Sequence, residues 1–180
     1  VVNATVTSSR TGYAAGVLAV QTYRTDASSG STVAVTNHVG GQDPSVADAG
    51  NGAAGCTLNT TTGVFTAGTC SGTAQSITNV TLSADVVGVD FGFNFDTIVN
   101  VNNAGQGSLR QLLTNANTLS GDASLAQEGR TAGVENAVFM ISNGTAAAGL
   151  RATNNSFVGG VATVVPTSSL PTITQPLVLD

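Results

Sequence analysis

The side chains that could support catalysis are few and poorly spaced. His38 is the single histidine of the chain, and Asp43 and Ser45 lie close behind it. A Ser/His/Asp triad needs these three residue types, but the G-x-S-x-G turn that exposes the serine in many hydrolases does not occur. Glycoside hydrolysis needs two carboxyl groups about 5–9 Å apart, and no spacing of the acidic residues singles out such a pair. We therefore assign no catalytic residue and expect His38 to lie on the surface or in a loop.

Acidic and amide side chains raise a second possibility, the binding of a cation. Asp90, Asn94 and Asp96 alternate along a predicted strand and would share one face, where their oxygen atoms could bind calcium. Their spacing differs from that of an EF-hand loop, which also supplies a bidentate glutamate. A solvated strand face explains the pattern more simply, so we predict no metal site and no cofactor.

The two cysteines point to a covalent link. Cys56 and Cys70 flank a Thr- and Gly-rich segment that is typical of a β-hairpin, so the two thiols could meet across the strands and form a disulfide. Closing a loop of this size stabilises a fold by about 3 kcal/mol in the chain-entropy model. Two unrelated buried thiols are the alternative, and zinc binding is disfavoured because only His38 could join them. A disulfide would indicate an oxidising compartment.

Composition narrows the class of protein. Charged residues make up 8% of the 180-residue chain, all five basic residues are arginine, and the net charge is −5. A basic surface for nucleic acid is thus excluded, and no apolar run reaches the roughly 18 residues that span a bilayer. Hydroxyl and amide groups must hydrate the surface, since the chain has 26 Thr and 15 Asn. Such chains are typical of extracellular β-proteins, so we expect a secreted or cell-surface location.

Alternation of apolar and polar residues dominates the first half of the chain and predicts β-strands. Val89, Phe91, Phe93 and Phe95 form the most aromatic stripe and are the predicted core. Short strands separated by Gly-rich turns favour an antiparallel β-sandwich, which we assign to residues 1–96. The alternating stretches are 2–6, 33–39, 80–86 and 89–95, and the strongly apolar stretch at 17–23 indicates a strand buried on both faces.

A short helix is predicted within residues 108–117, SLRQLLTNAN. Ser108 and Gln111 have the S-x-x-Q spacing of a capping box. A helix of this length must pack against other elements to be stable. The side chains predicted to share its apolar face are Leu109, Leu112, Leu113 and Ala116.

Short apolar strands follow the helix. They are predicted at 137–141 and 160–165 and near the end of the sequence, around Leu177 and Leu179. Prolines punctuate the last of these stretches, which is typical of edge or solenoid strands.

Residues 96–117, DTIVNVNNAGQGSLRQLLTNAN, resemble the N-terminal cap of the right-handed parallel β-helices found in large secreted and surface proteins of bacteria. The shared pattern is a strand, a Gly-containing turn, then GSLRQ and a short helix. The later stretches ENAVFMI and LPTITQPLVLD resemble the first rungs of such a solenoid. The preceding DVVGVDFGFNF resembles the last strand of a Cna-B or SdrD-like β-sandwich. The internal isopeptide bond of Cna-B domains is impossible here, because the chain has no lysine.

The resemblance implies an all-β fold of two parts. An antiparallel β-sandwich in residues 1–96 would precede a cap helix and the first strands of a β-helix-like region in residues 97–180. Ser108, Leu109, Gln111, Leu112 and Leu113 would be the residues that pack the cap, and Arg110 would point outward or pair with a carboxylate. A cap of this kind covers the apolar side chains and free backbone groups at the end of a solenoid.

The expected function is therefore structural. We expect an extracellular structural or adhesive surface protein that assembles through strand edges into a filament or forms part of a long adhesin. Its partner would be a second copy or the remainder of a longer surface protein, of which this chain would be a mature or excised portion. The alternative is the non-catalytic N-terminal portion of a β-helical enzyme that acts on polysaccharide. The expected assembly contacts are Val2, Val6, Leu177 and Leu179.

Overall fold

The fold is built from short strands and one helix. The computed structural model describes residues 16–26, 34–35, 39–41, 43–48, 57–58, 65–67, 75–76, 80, 84–119, 129–150 and 154–179. Within these ranges the regular structure consists of ten strands, β1 to β10, and the helix α1. The expectation of a mainly β protein with one short helix is confirmed at this level.

An antiparallel sheet is formed by β1 (Val20–Asp26), β2 (Ala34–Val35) and β5 (Phe91–Asn94), with β1 in the middle. The pairing of β1 with β5 shifts between Gln21 and Tyr23, which is a β-bulge. Gly92 of β5 lies beneath the ring of Tyr23, and a Cβ atom there would come within 2.1 Å of that ring. Any larger residue at this position would therefore force the Tyr23 ring to move.

The three strands of the second sheet run parallel to one another. They are β6 (Thr97–Ile98), β7 (Glu135–Phe139) and β10 (Leu177–Leu179), in the spatial order β6-β7-β10. Each strand that is added along the chain thus lies outside the previous one. The amides of Val138 and Met140 continue the ladder by donating to the carbonyl groups of Asp96 and Ile98, at 2.9 and 2.8 Å.

Two hairpins complete the set of strands. β3 (Thr57–Leu58) pairs antiparallel with β4 (Phe65–Ala67), and β8 (Phe157–Val158) pairs antiparallel with β9 (Val161–Ala162). The first hairpin lies between the two cysteines in the sequence, in the segment for which we predicted one.

The helix α1 (Leu109–Leu119) follows a turn that ends in Gly107 and Ser108. Gly107 has a φ of +73°, and a Cβ atom there would lie 2.3 Å from Cγ2 of Val99. Glycine therefore meets two requirements at this position, a left-handed backbone and a close approach. The Ser108 hydroxyl then accepts a hydrogen bond from the amide of Gln111 at 3.1 Å, which caps the first turn.

A cluster of buried apolar side chains lies between α1 and the parallel sheet. It consists of Ile98, Leu112, Leu113 and Ala137. We predicted the phenylalanine stripe as the core, and this prediction is wrong for Phe91 and Phe93. These two side chains are only half-buried and stack on each other with ring centroids 6.5 Å apart. Their strand, β5, is an outer strand of its described sheet. Alternation identified the strand correctly but did not show how deeply it would be buried.

Candidate functional site

The candidate site is the parallel sheet together with the helix that covers part of it. Ile98, Ala137 and Leu177 come from three successive parallel strands and lie on the same face. Ile98 is fully buried. Leu112 and Leu113 pack onto this row from the helix, and Leu109 is partly buried against it. This arrangement buries the apolar face of the helix, and one layer of side chains holds the three strands against it.

Gln111 does not complete the reciprocal half of a capping box. The amide of Ser108 donates instead to the Gly105 carbonyl at 3.2 Å. The Gln111 side chain donates to the carbonyl of Gly16 at 2.7 Å and to Oδ1 of Asn115 at 2.9 Å. Gln111 thus links the helix to the segment that leads into β1.

Asn115 makes the most complete contact between the helix and that segment. Its Oδ1 accepts from the Leu18 amide at 3.1 Å, and its Nδ2 donates to the Leu18 carbonyl at 2.8 Å. The same Nδ2 also donates to the carbonyl of Phe95 at 2.8 Å. Asn115 is buried, so these contacts satisfy backbone groups that water does not reach easily.

Asn117 makes a similar contact with a different part of the chain. Its Nδ2 donates to the Thr172 carbonyl at 2.8 Å, and its Oδ1 accepts from the Thr174 amide, also at 2.8 Å. Residues 172–174 lead into β10, so this asparagine ties the helix to the last strand of the sheet.

Arg110 holds two loops with its guanidinium group. It donates to the carbonyl of Asn103 at 3.0 Å, to that of Ser168 at 2.8 Å and to that of Ser169 at 2.6 Å. We expected this arginine to point outward or to pair with a carboxylate, but its partners are backbone carbonyls and the polar side chains of Asn103 and Ser168. A planar fork with five N–H groups suits this task.

A second set of buried amides joins the parallel sheet to the first half of the chain. Nδ2 of Asn100 donates to the carbonyls of Pro44 and Gln106, at 2.8 and 2.9 Å. The Gln106 side chain donates to the Ala19 carbonyl at 2.6 Å and accepts from the Asp48 amide at 2.7 Å. Asn100, Gln106 and Asp48 are all buried. These residues were not predicted from the sequence, because the position of an amide side chain does not indicate which distant residue it will bind.

The outer edge of the parallel sheet has no neighbouring strand among the described residues. β10 is the last strand in the order β6-β7-β10, and no described strand pairs with its far side. Because Glu135 donates its amide to the Pro176 carbonyl, the alternation of a parallel ladder turns the backbone groups of Leu177 and Leu179 away from β7. The Leu179 side chain is 51% exposed, and Phe139, on the same face, is 43% exposed. This edge therefore presents free hydrogen-bonding groups beside uncovered apolar surface.

Several predicted residues lie outside the described part of the chain. They are Val2 and Val6, the predicted assembly contacts, Cys56 and Cys70, the predicted disulfide, and His38. The predictions for them stand as made.

Two of the oxygen-bearing side chains considered earlier, Asp43 and Asn94, accept hydrogen bonds from neighbouring groups. A carboxylate oxygen of Asp43 accepts from the backbone amide of Ser45 at 2.9 Å, from its hydroxyl at 2.6 Å and from Nδ2 of Asn154 at 2.7 Å. Oδ1 of Asn94 accepts from the Thr97 hydroxyl at 3.0 Å. Across the ranges that the structure describes, no three His, Cys, Asp or Glu side chains come together as they would to hold a metal ion.

No protein-family model matches the chain, and no characterised protein or solved structure matches it at a significant level. Among the described residues, no helix combines the length and the apolar character needed to cross a membrane.

Proposed function

We propose that this chain is a structural module of an extracellular surface protein, in which α1 caps a parallel β-helix-like stack and the stack extends by adding strands at β10. The module acts through its shape and its backbone edges. It assembles with a second copy, or it continues into the remainder of a longer adhesin.

The observation that carries the proposal is the chain-ordered parallel sheet. β6, β7 and β10 follow one another in space as they do in sequence, and a solenoid grows in this way. Ile98, Ala137 and Leu177 lie on one face of these strands and pack in the same apolar cluster under α1, as inward-facing residues of successive rungs would.

The state of the β10 edge supports addition of a further strand. Proteins that must not pair through an edge protect it with charge, proline or a covering element. Pro176 and Asp180 flank β10, but Leu177–Leu179 itself contains neither charge nor proline, and its Val178 and Leu179 are exposed on opposite faces. A strand with apolar side chains on both faces would cover this edge and satisfy the outward groups of Leu177 and Leu179.

Composition supports the extracellular setting. The chain has no lysine and few charges, and its abundance of hydroxyl and amide groups can hydrate a long β structure. Thr57 and Ala67, the outer ends of the antiparallel pair of β3 and β4, are register partners, and Cys56 and Cys70 lie one and three positions beyond these ends in the sequence. A disulfide across those ends would suit an oxidising compartment.

The proposal is tested by measuring self-association of the 180-residue chain by sedimentation over a range of protein concentrations. We expect concentration-dependent association, because an open apolar edge can pair with another copy. Leu179→Lys places a charge on the edge and should weaken association by about tenfold or more. Val158→Lys is the matched control, since Val158 is 86% exposed but lies on the β8–β9 hairpin. A wild-type chain that remains monomeric at its highest soluble concentration would contradict the assembly.

A further inference from the structure

We infer that two asparagine side chains of α1, Asn115 and Asn117, each take the hydrogen-bonding place of a strand residue beside the chain segments that lead into β1 and β10. The inference adds detail to the capping role of α1 in the proposed function. Only its consequence for strand addition rests on that proposed function. The contacts themselves exist within a single copy of the chain.

Asn115 substitutes for a residue of an antiparallel strand. In an antiparallel pair, a residue exchanges two hydrogen bonds with the residue opposite, using its own N–H and its own C=O. Leu18 does this with the Asn115 carboxamide, at 3.1 and 2.8 Å. Leu18 lies just before β1, the central strand of the antiparallel sheet. The side-chain amide, which has one donor and one acceptor side, therefore continues the antiparallel pattern where the strand begins.

Asn117 substitutes for a residue of a parallel strand. In a parallel pair, one residue accepts from and donates to groups that lie two residues apart on its neighbour. Asn117 pairs in this way with the Thr172 carbonyl and the Thr174 amide. These residues precede β10 in the parallel sheet. The two asparagines, two positions apart on one helix, thus reproduce the two different pairing patterns of the two sheets.

A helix has no free backbone groups along its side and cannot pair with a further strand. Where α1 occupies these pairing positions, no additional strand can bind. On the segment that leads into β10, this occupation is limited to Thr172 and Thr174, and no described strand pairs with the outward groups of Leu177 and Leu179. Strand addition at β10 should therefore begin beyond Thr174, where the helix no longer occupies the pairing positions.

The test is residue-resolved amide hydrogen exchange on the monomeric chain in dilute solution. In the wild type, the amides of Leu18 and Thr174 should be protected although their acceptors are side chains. Asn115→Leu should speed exchange at Leu18 by about tenfold or more and leave Thr174 within about twofold. Asn117→Leu should do the reverse. Thr118→Val, on the exposed side of the same helix, is a control that should change neither amide.

Two results would overturn the inference. One is rapid, unprotected exchange of Leu18 and Thr174 in the wild type, a measurement that needs no variant to fold. The other is equal acceleration of both amides by both asparagine variants, which would indicate general loss of stability. Failure of the chain to associate would count against the proposed function but would leave these exchange patterns unchanged.

Discussion

At the scale of single residues, two glycines in the turn before the helix allow the effect of backbone conformation on stability to be separated from the effect of packing. Gly105 and Gly107 both have a positive φ, of 89° and 73°. A Cβ atom at Gly105 would meet nothing within 4 Å, whereas one at Gly107 would collide with Val99. Both positions therefore require a left-handed backbone, but only Gly107 also lacks room for a Cβ atom.

We predict that Gly105→Ala lowers the free energy of unfolding by about 1 kcal/mol, the cost of a left-handed conformation for an L-residue. Gly107→Ala should lower it by roughly 3 kcal/mol, because Val99 must also move. Urea unfolding of both variants measures the difference. Equal losses would show that Val99 is not packed against this turn.

The long-range contacts of single polar residues are the part of the site that could not be predicted from the sequence. Asn115 and Leu18 are separated by 97 positions, and Asn117 and Thr174 by 57. A hydrophobic pattern has a period that reveals a helix or a strand. A single amide side chain has no such period, and its partners here are backbone groups, which every residue type carries. The sequence therefore does not indicate which residue the amide will bind.

At the scale of elements, the helix was the most predictable feature. The spacing of Ser108 and the leucines predicted it within 108–117, and it extends over Leu109–Leu119. Its apolar face is used as amphipathicity requires, since Leu112 and Leu113 are buried. Its polar faces are equally involved, because Arg110 binds the loop around Ser168.

We predict that Arg110→Lys destabilises the fold by about 1–2 kcal/mol, because an ammonium group cannot hold three separated carbonyls in a planar fork. The loop that contains Ser168 should also become more susceptible to limited proteolysis. Arg130→Lys is the matched control, since Arg130 is exposed, and it should change stability by less than about 0.5 kcal/mol. Similar stability of the two variants would argue that the Arg110 contacts contribute nothing.

The presence of strands was predictable from the sequence, but the burial of their side chains and the strands with which they pair were not. Alternation at 89–95 indicated β5, yet Phe91 and Phe93 are only half-buried. The parallel pairing of β6 with β7 joins strands on either side of the helix, so it depends on the path of the chain rather than on local sequence. Only the resemblance to β-helix caps suggested a parallel arrangement.

At the scale of the whole molecule, buried hydrogen bonds cross the predicted boundary between residues 1–96 and 97–180. Gln106 binds Ala19 and Asp48, and Asn100 binds Pro44. Removing one side of such a contact leaves the other with an unsatisfied buried group, which costs about 1–3 kcal/mol each time. The described parts of the two regions are therefore expected to depend on each other.

We predict that the chain unfolds in a single cooperative transition and that a fragment of residues 97–180 does not fold alone. Circular dichroism and amide NMR of the fragment, compared with the full chain, measure this. Well-dispersed amide signals from the isolated fragment would show that residues 1–96 are not needed for it to fold.

The most direct measurement of the central claim is amide exchange along β10 as a function of protein concentration. Val178 points its backbone groups toward β7, whereas Leu177 and Leu179 point theirs outward. Val178 should be protected at every concentration, whereas Leu177 and Leu179 should exchange freely in dilute solution and become protected as the chain associates. Association that leaves the exchange of Leu177 and Leu179 unchanged would contradict growth at this edge.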